Sequence, residues 1–138
     1  MPDAPRWYTP RTARRVLRRI RPTVELLHRL WVELDYRRPD PIGSDLAVDP
    51  LYFVMARRLA HGLAALEARG LLVDELRDGR LDFPAWLDDR PVVLCWRVGE
   101  PELRFWHVRG NGRPRVPFRD GDRFRPPGAP RRRPYSLC

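Results

Sequence analysis

The chain has 138 residues, 43% of them hydrophobic, and a net charge of +9 at pH 7. That length supports one domain with a modest core. No apolar run of about 18 residues occurs, which excludes a membrane-spanning helix. The N-terminal segment carries Arg but no apolar stretch, so no secretory signal is expected. Every basic side chain counted among the 27 is Arg. An all-Arg set also fits GC-rich coding and is not by itself a sign of Arg-specific chemistry. The two cysteines, Cys95 and Cys138, do not form a disulfide framework, and a reducing cytoplasm is expected. Charge is uneven: residues 1–48 carry +4, residues 49–110 carry −1 and residues 111–138 carry +6.

Thr9-Pro10 is a helix start, with Thr as N-cap and Pro at the first helical position. Ala13, Leu17, Ile20, Val24, Leu27, Trp31 and Leu34 then recur at alternating spacings of four and three, which makes one apolar stripe. Pro22 interrupts the pattern and is expected to kink the helix. The helix should fade near Tyr36, giving a length of ~40 Å. Arg21, Glu25, Arg29, Glu33 and Arg37 alternate in sign along one face, as in a solvated, salt-bridged surface. Arg11, Arg14, Arg15, Arg18, Arg19 and Arg21 fall off the stripe and form an uncompensated basic patch.

Pro39, Pro41 and Gly43 mark a loop. Asp49-Pro50 repeats the N-cap signature, and a second helix should bury Leu51, Val54, Met55, Leu59, Leu63 and Leu66 before Gly70 stops it. The two helices are expected to pack antiparallel. The longer first stripe then leaves apolar surface for a sheet or a second subunit to cover.

Leu71–Leu76 and Leu81–Ala85 flank Arg77-Asp78-Gly79-Arg80, and Asp-Gly at the centre predicts a hairpin turn. In that register Glu75 faces Asp82. Two carboxylates so placed repel, and would raise a pKa, hold a hard cation, or be neutralised by Arg77 and Arg80 as the plainer outcome. Trp86 to Arg90 reads as a short link.

The most β-prone run is Pro91 to His107. Val92–Arg97 and Leu103–Val108 are two strands folded about Gly99 and Pro101. If facing residue numbers sum to 200, Cys95 faces Phe105, and Cys95, Arg97 and His107 share one side of the sheet. One slip would send His107 to the other side. Four strands in a meander are the simplest arrangement.

Asp82-Phe83-Pro84, Leu94-Cys95-Trp96-Arg97, Gly99-Glu100 and Trp106-His107 resemble the signature of a bacterial family catalogued as domain of unknown function 2203. Tyr8-Thr9 before a long helix, and Gly70 ending a second helix, are similar to that family's layout. The resemblance covers roughly residues 7–108. After His107 the chain departs from it, with Gly110-Asn111-Gly112-Arg113 where a Phe-x-Gly-Arg-like segment is expected. The resemblance implies a fold and a candidate site around Asp82, Cys95, Trp96, Arg97, Glu100, Trp106 and His107. It implies no activity.

Cys95, Glu100 and His107, with His61 or His28 as further donors, combine ligand types that suit zinc or another divalent metal, or a nucleophile with its base. The plainer reading is a buried core thiol and a hydrogen-bonded strand histidine. Arg97 with Glu100 and Glu102 reads most simply as an ion pair. Residues 111–138 hold six Pro and eight Arg and are expected to be mostly extended or disordered beyond a domain of residues 1–110. Arg113, Arg115, Arg119, Arg123, Arg125 and Arg131, Arg132 and Arg133, interleaved with Phe118, Phe124 and Tyr135, suit phosphate contact and base stacking.

The sequence therefore predicts an α+β domain, a long helical hairpin packed on a four-stranded antiparallel meander. The leading functional expectation is a cytoplasmic, non-enzymatic binding or adaptor protein that contacts an anionic partner, nucleic acid or the ribosome, through its Arg-rich surfaces. The alternative is a metal-binding or catalytic domain at Cys95, Glu100 and His107. A homodimer through leftover helix surface is a further expectation.

Overall fold

The structure is a computed structural model that describes residues 7–38, 49–110 and 113–125. Helix α1 spans Pro10–Tyr36 and α2 spans Pro50–Ala68. A short 3-10 turn at Leu76–Asp78 precedes the strands β1 (Arg80–Leu87), β2 (Arg90–Arg97), β3 (Phe105–Val108) and β4 (Val116–Pro117). The strands form one antiparallel sheet in the order β1-β2-β3-β4. No described helix is long and apolar enough to cross a membrane.

Helix α1 begins where its sequence signals place it. Thr9 and Thr12 satisfy each other's backbone N–H groups in a capping box, with Pro10 at the first position. Its stripe is buried as expected from Ala13 to Leu34, except that Trp31 is only half-buried. The helix runs on through Pro22. Asp49 caps α2 by accepting from the Leu51 N–H. The helices are antiparallel: Arg37 lies 3.9 Å from Asp49 at one end, and the Tyr8 hydroxyl donates to the Arg69 carbonyl at the other. They pack tightly at Gly62, where a Cβ would sit 2.4 Å from Leu27 Cδ2. Of the stripe expected on α2, only Leu59 and Leu66 are fully buried. Leu51 and Val54 are exposed, as are Phe53 and, on α1, Leu26, Val32 and Tyr36.

The expected hairpin around Asp78-Gly79 does not form. Leu76–Asp78 coils into the 3-10 turn instead, and Gly79 ends it with φ +82. Within residues 71–76 only Leu72 bridges β1, and it does so opposite Asp82. Glu75 therefore does not face Asp82; its carboxylate holds Arg80 at 2.9 Å. Arg77 turns to Asp35 on α1 at 2.6 Å. The tight hairpin lies later, in the segment expected to be a link. Leu87 pairs with Arg90 across Asp88 and Asp89, which have φ of +49° and +63°. Two left-handed residues in a two-residue loop give the twist that antiparallel strands need, and Asp is among the few side chains that tolerate it.

Residues 113–125, expected to lie in an extended tail, add to the fold. Val116–Pro117 pairs with β3 at one edge of the sheet, and Phe124 bridges Leu87 at the other. The outer edge of β1 is thereby covered along its length. Leu72 pairs at Asp82, the Tyr8 N–H donates to the Pro84 carbonyl at 2.7 Å, and the Arg125 N–H donates to the Trp86 carbonyl. Pro84 thus turns its backbone away from β2, so its missing N–H costs the β1–β2 ladder nothing. The ring pair Phe118–Phe124 supplied the apolar anchor that the Arg and Pro content of this segment masked. Arg131, Arg132 and Arg133 lie outside the described residues.

Register divides the sheet into two faces. Leu81, Phe83, Ala85, Val92, Leu94 and Trp96 join α1 and α2 in one apolar core. Asp82, Val93, Cys95, Phe105 and His107 alternate onto the opposite face.

Candidate metal centre

Val92 pairs with Val108 and Cys95 with Phe105, the register in which facing numbers sum to 200. Cys95 and His107 therefore share a face, as diagonal neighbours. The β1–β2 register places Asp82 directly opposite Cys95. Three strands thus bring a carboxylate, a thiol and an imidazole together, with their ligating atoms all within 4.8 Å of one another. Cys95 and His107 are buried, at 1% and 8% exposure.

Each member has its own electrostatic situation. Nδ1 of His107 lies 2.8 Å from the Val108 carbonyl oxygen. A carbonyl can only accept, so Nδ1 carries the proton, and Nε2 is the ring atom turned toward the cluster. Nε2 stands 3.7 Å from Asp82 Oδ1, beyond hydrogen-bonding range. Asp82 Oδ1 is buried and has no hydrogen-bond partner among the described residues. Burial raises the Asp82 pKa above the ordinary carboxylate value, and neighbouring His107 offsets part of that rise. Burial, followed by the charge of Asp82, pushes the Cys95 thiol up to about 12. A thiol raised in this way differs from activated cysteine nucleophiles, whose pKa is depressed.

Glu100, expected as the third ligand, is taken up elsewhere. Its carboxylate accepts from the Arg115 guanidinium and from the Arg97 backbone N–H at 2.7 Å. Its carbonyl accepts from Trp96 Nε1 and from Arg21 Nη2, both at 3.1 Å. Glu100 therefore fastens the β2–β3 turn to α1 and to the segment carrying β4. The Arg97 side chain is exposed and forms no ion pair among the described residues, so the expected pairing with Glu100 or Glu102 is not made. Glu102 pairs with Arg104 instead. Trp96 and Trp106 occupy even positions and face the helices, so they belong to the core side and not to this cluster. Neither His28 nor His61 joins it.

Asp82 was in view from sequence, but attached to the wrong neighbour. The signal that locates it is Asp88-Asp89: a two-residue turn there forces Asp82 opposite Cys95 by counting alone. Arg115 was in view only as a tail residue for phosphate contact. It stacks 4.1 Å from the Phe105 ring centroid and donates to the Cys95 carbonyl, which braces the strand under the thiol.

Beside the cluster opens a pocket of about 210 Å³, whose polar lining includes Glu75, Arg80, Asp82, His107, Arg109 and Arg113. The basic patch at the start of α1 is partly consumed by the fold. Arg14 donates to the Leu103 carbonyl and stacks on Phe118, and Arg21 holds Glu25 and the β2–β3 turn. Arg11, Arg15, Arg18 and Arg19 are exposed.

No curated protein and no solved structure matches the chain. One family model does, over residues 6–114, a span that contains Asp82, Cys95, His107 and the pocket arginines. The chain belongs to the family described as Uncharacterized conserved protein (DUF2203).

Proposed function

We propose that this protein binds one divalent transition-metal ion, of zinc or cobalt type, through a carboxylate oxygen of Asp82, Sγ of Cys95 and Nε2 of His107. The observation that carries the reading is the convergence of these three ligand atoms within 4.8 Å. Tetrahedral zinc with bonds of about 2.0–2.3 Å separates its donors by roughly 3.3–3.6 Å. The 3.7 Å between Asp82 and His107 is close to that separation and too long for the hydrogen bond that would otherwise explain the pair. The His107 Nδ1–H bond to a backbone carbonyl fixes the ring as metal-ligating histidines usually are. A cation would give the orphaned Asp82 oxygen its partner and displace the thiol proton of Cys95.

The apolar core lies on the opposite face and is complete without an ion, so a structural staple is not required. Three protein ligands beside an open pocket match a site that works on a bound molecule, with the fourth position left for water or ligand. Titrating apo protein with cobalt tests the reading. One equivalent should produce a thiolate-to-cobalt absorption band. Cys95→Ser, Asp82→Ala and His107→Ala should each abolish or severely weaken it, while Glu100→Gln keeps it. Absence of stoichiometric binding by the folded wild-type protein would end the proposal.

A second reading rests on the start of α1. Its first turn holds no acidic residue, and Arg11, Arg15, Arg18 and Arg19 form no ion pair among the described residues. Arg11, in the first turn, opposes the helix dipole and the four cations repel one another, a modest cost that an anionic partner such as nucleic acid would offset. Gel-shift affinity should fall steeply with salt and weaken when these four are changed to Ala. Binding that ignores salt, or no binding, removes this reading.

A further inference from the structure

We infer that the pocket beside the triad admits a small oxyanion, of carboxylate or phosphate type, which completes the coordination of the bound cation and is clamped by Arg109 and Arg113. The inference rests on the metal reading of Asp82, Cys95 and His107 and adds the ligand class to it. The pocket, at about 210 Å³, falls below the range of roughly 300–1,000 Å³ that accommodates drug-sized ligands. It suits a molecule of a few heavy atoms and is too small to enclose a nucleotide.

Charge decides the sign of the ligand. A divalent cation held by the Asp82 carboxylate and the Cys95 thiolate is neutralised by them. Arg80 is held by Glu75 at 2.9 Å, so that pair also cancels. Of the remaining charged lining, Asp74 stands against Arg109 and Arg113, which leaves one positive charge facing the cavity. Neither arginine forms an ion pair among the described residues, and both are exposed. Guanidinium groups match the two oxygens of a carboxylate or phosphate in a planar fork. His107 and Asp82 form both the cation site and the pocket wall, so an anion in the pocket reaches the open coordination position directly.

The test uses the full-length cobalt-loaded protein in low-chloride buffer, titrated separately with acetate and with inorganic phosphate. The visible cobalt bands report the fourth ligand. A saturable spectral change with either anion is expected, the tighter of the two naming the class. Arg109→Ala/Arg113→Ala should weaken that anion at least tenfold while leaving cobalt affinity unchanged. Cobalt bound normally with no response to either anion overturns the inference and spares the metal reading. An equal response in the double variant shows that the cation alone holds the anion, and removes the clamp. No cobalt binding at all removes both.

Discussion

The two faces of the sheet are built on opposite principles. The helix-facing side stacks Leu81, Phe83, Leu94 and Trp96, each fully buried, against the stripe of α1. Trp96 Nε1 reaches the Glu100 carbonyl there, and Trp106 Nε1 is the buried polar atom on that side with no partner among the described residues. The other side buries a carboxyl, a thiol and an imidazole one strand apart, and leaves a carboxylate oxygen unpartnered. Burying such an oxygen costs about 1–3 kcal/mol. The first face holds the fold; on the second, the proposed cation would recover the cost of the buried oxygen. Perturbed groups beside a cavity mark functional sites for this reason.

Four measurements would break or sharpen that contrast. Trp96→Ala should be the most damaging, with a loss of about 3–5 kcal/mol in urea unfolding, since it empties the centre of the helix-facing core. A small loss would mean that the core is centred elsewhere.

The second concerns pH. The folded-state pKa of Cys95 is raised from 9.0 to about 12. Between those values the unfolded chain releases its thiol proton while the folded protein keeps it. Apo stability therefore falls as pH rises from about 9 toward 12, by roughly 2–4 kcal/mol. Cys95→Ser should flatten that part of the profile. A wild-type profile already flat over this range would show that the thiol is not desolvated.

The third is Gly62→Ala. The new methyl meets Leu27 on the buried stripe of α1, and crowding of that kind costs about 1–3 kcal/mol. The gain in helix propensity offsets up to about 1 kcal/mol of it. Melting temperature should fall slightly, and Leu27→Val should partly rescue it. Unchanged stability would mean that the helices separate easily at this point.

The smallest effect has the opposite sign. Asp82→Asn removes a buried charge whose oxygen has no partner, so apo stability should hold or rise by about 1 kcal/mol. Metal binding should be lost. If the same variant is clearly destabilised, Asp82 serves the fold and the contrast between the faces fails.

Much of the architecture was legible because it depends on local signals. Thr9-Pro10 and Asp49-Pro50 start helices wherever they stand, and the spacing from Ala13 to Leu34 fixes which face of α1 is buried. Val92–Arg97 and Leu103–Val108 are strands on composition. Their register was left open by the sequence, and the structure pairs them in the even one, with Leu94 opposite Trp106. The 3-10 turn at Leu76–Asp78 was not legible, because Asp-Gly favours both a hairpin and a helix-like turn ended by a left-handed glycine. The docking of Arg77 on Asp35 and of Arg80 on Glu75 accompanies the second outcome.

What the sequence by itself determined is the set of elements and the chemistry available on them: two capped helices, and a β-prone hairpin carrying one thiol and one histidine. What the tertiary structure decided is which acid joins them. The sequence favours Glu100, five positions from Cys95, over Asp82, thirteen positions away. Strand pairing lays Asp82 across from the thiol, whereas Arg115, arriving from beyond β3, takes Glu100 away. Pairings between distant segments depend on packing and charge partners that no local pattern encodes, so the site becomes specific only once the sheet has closed.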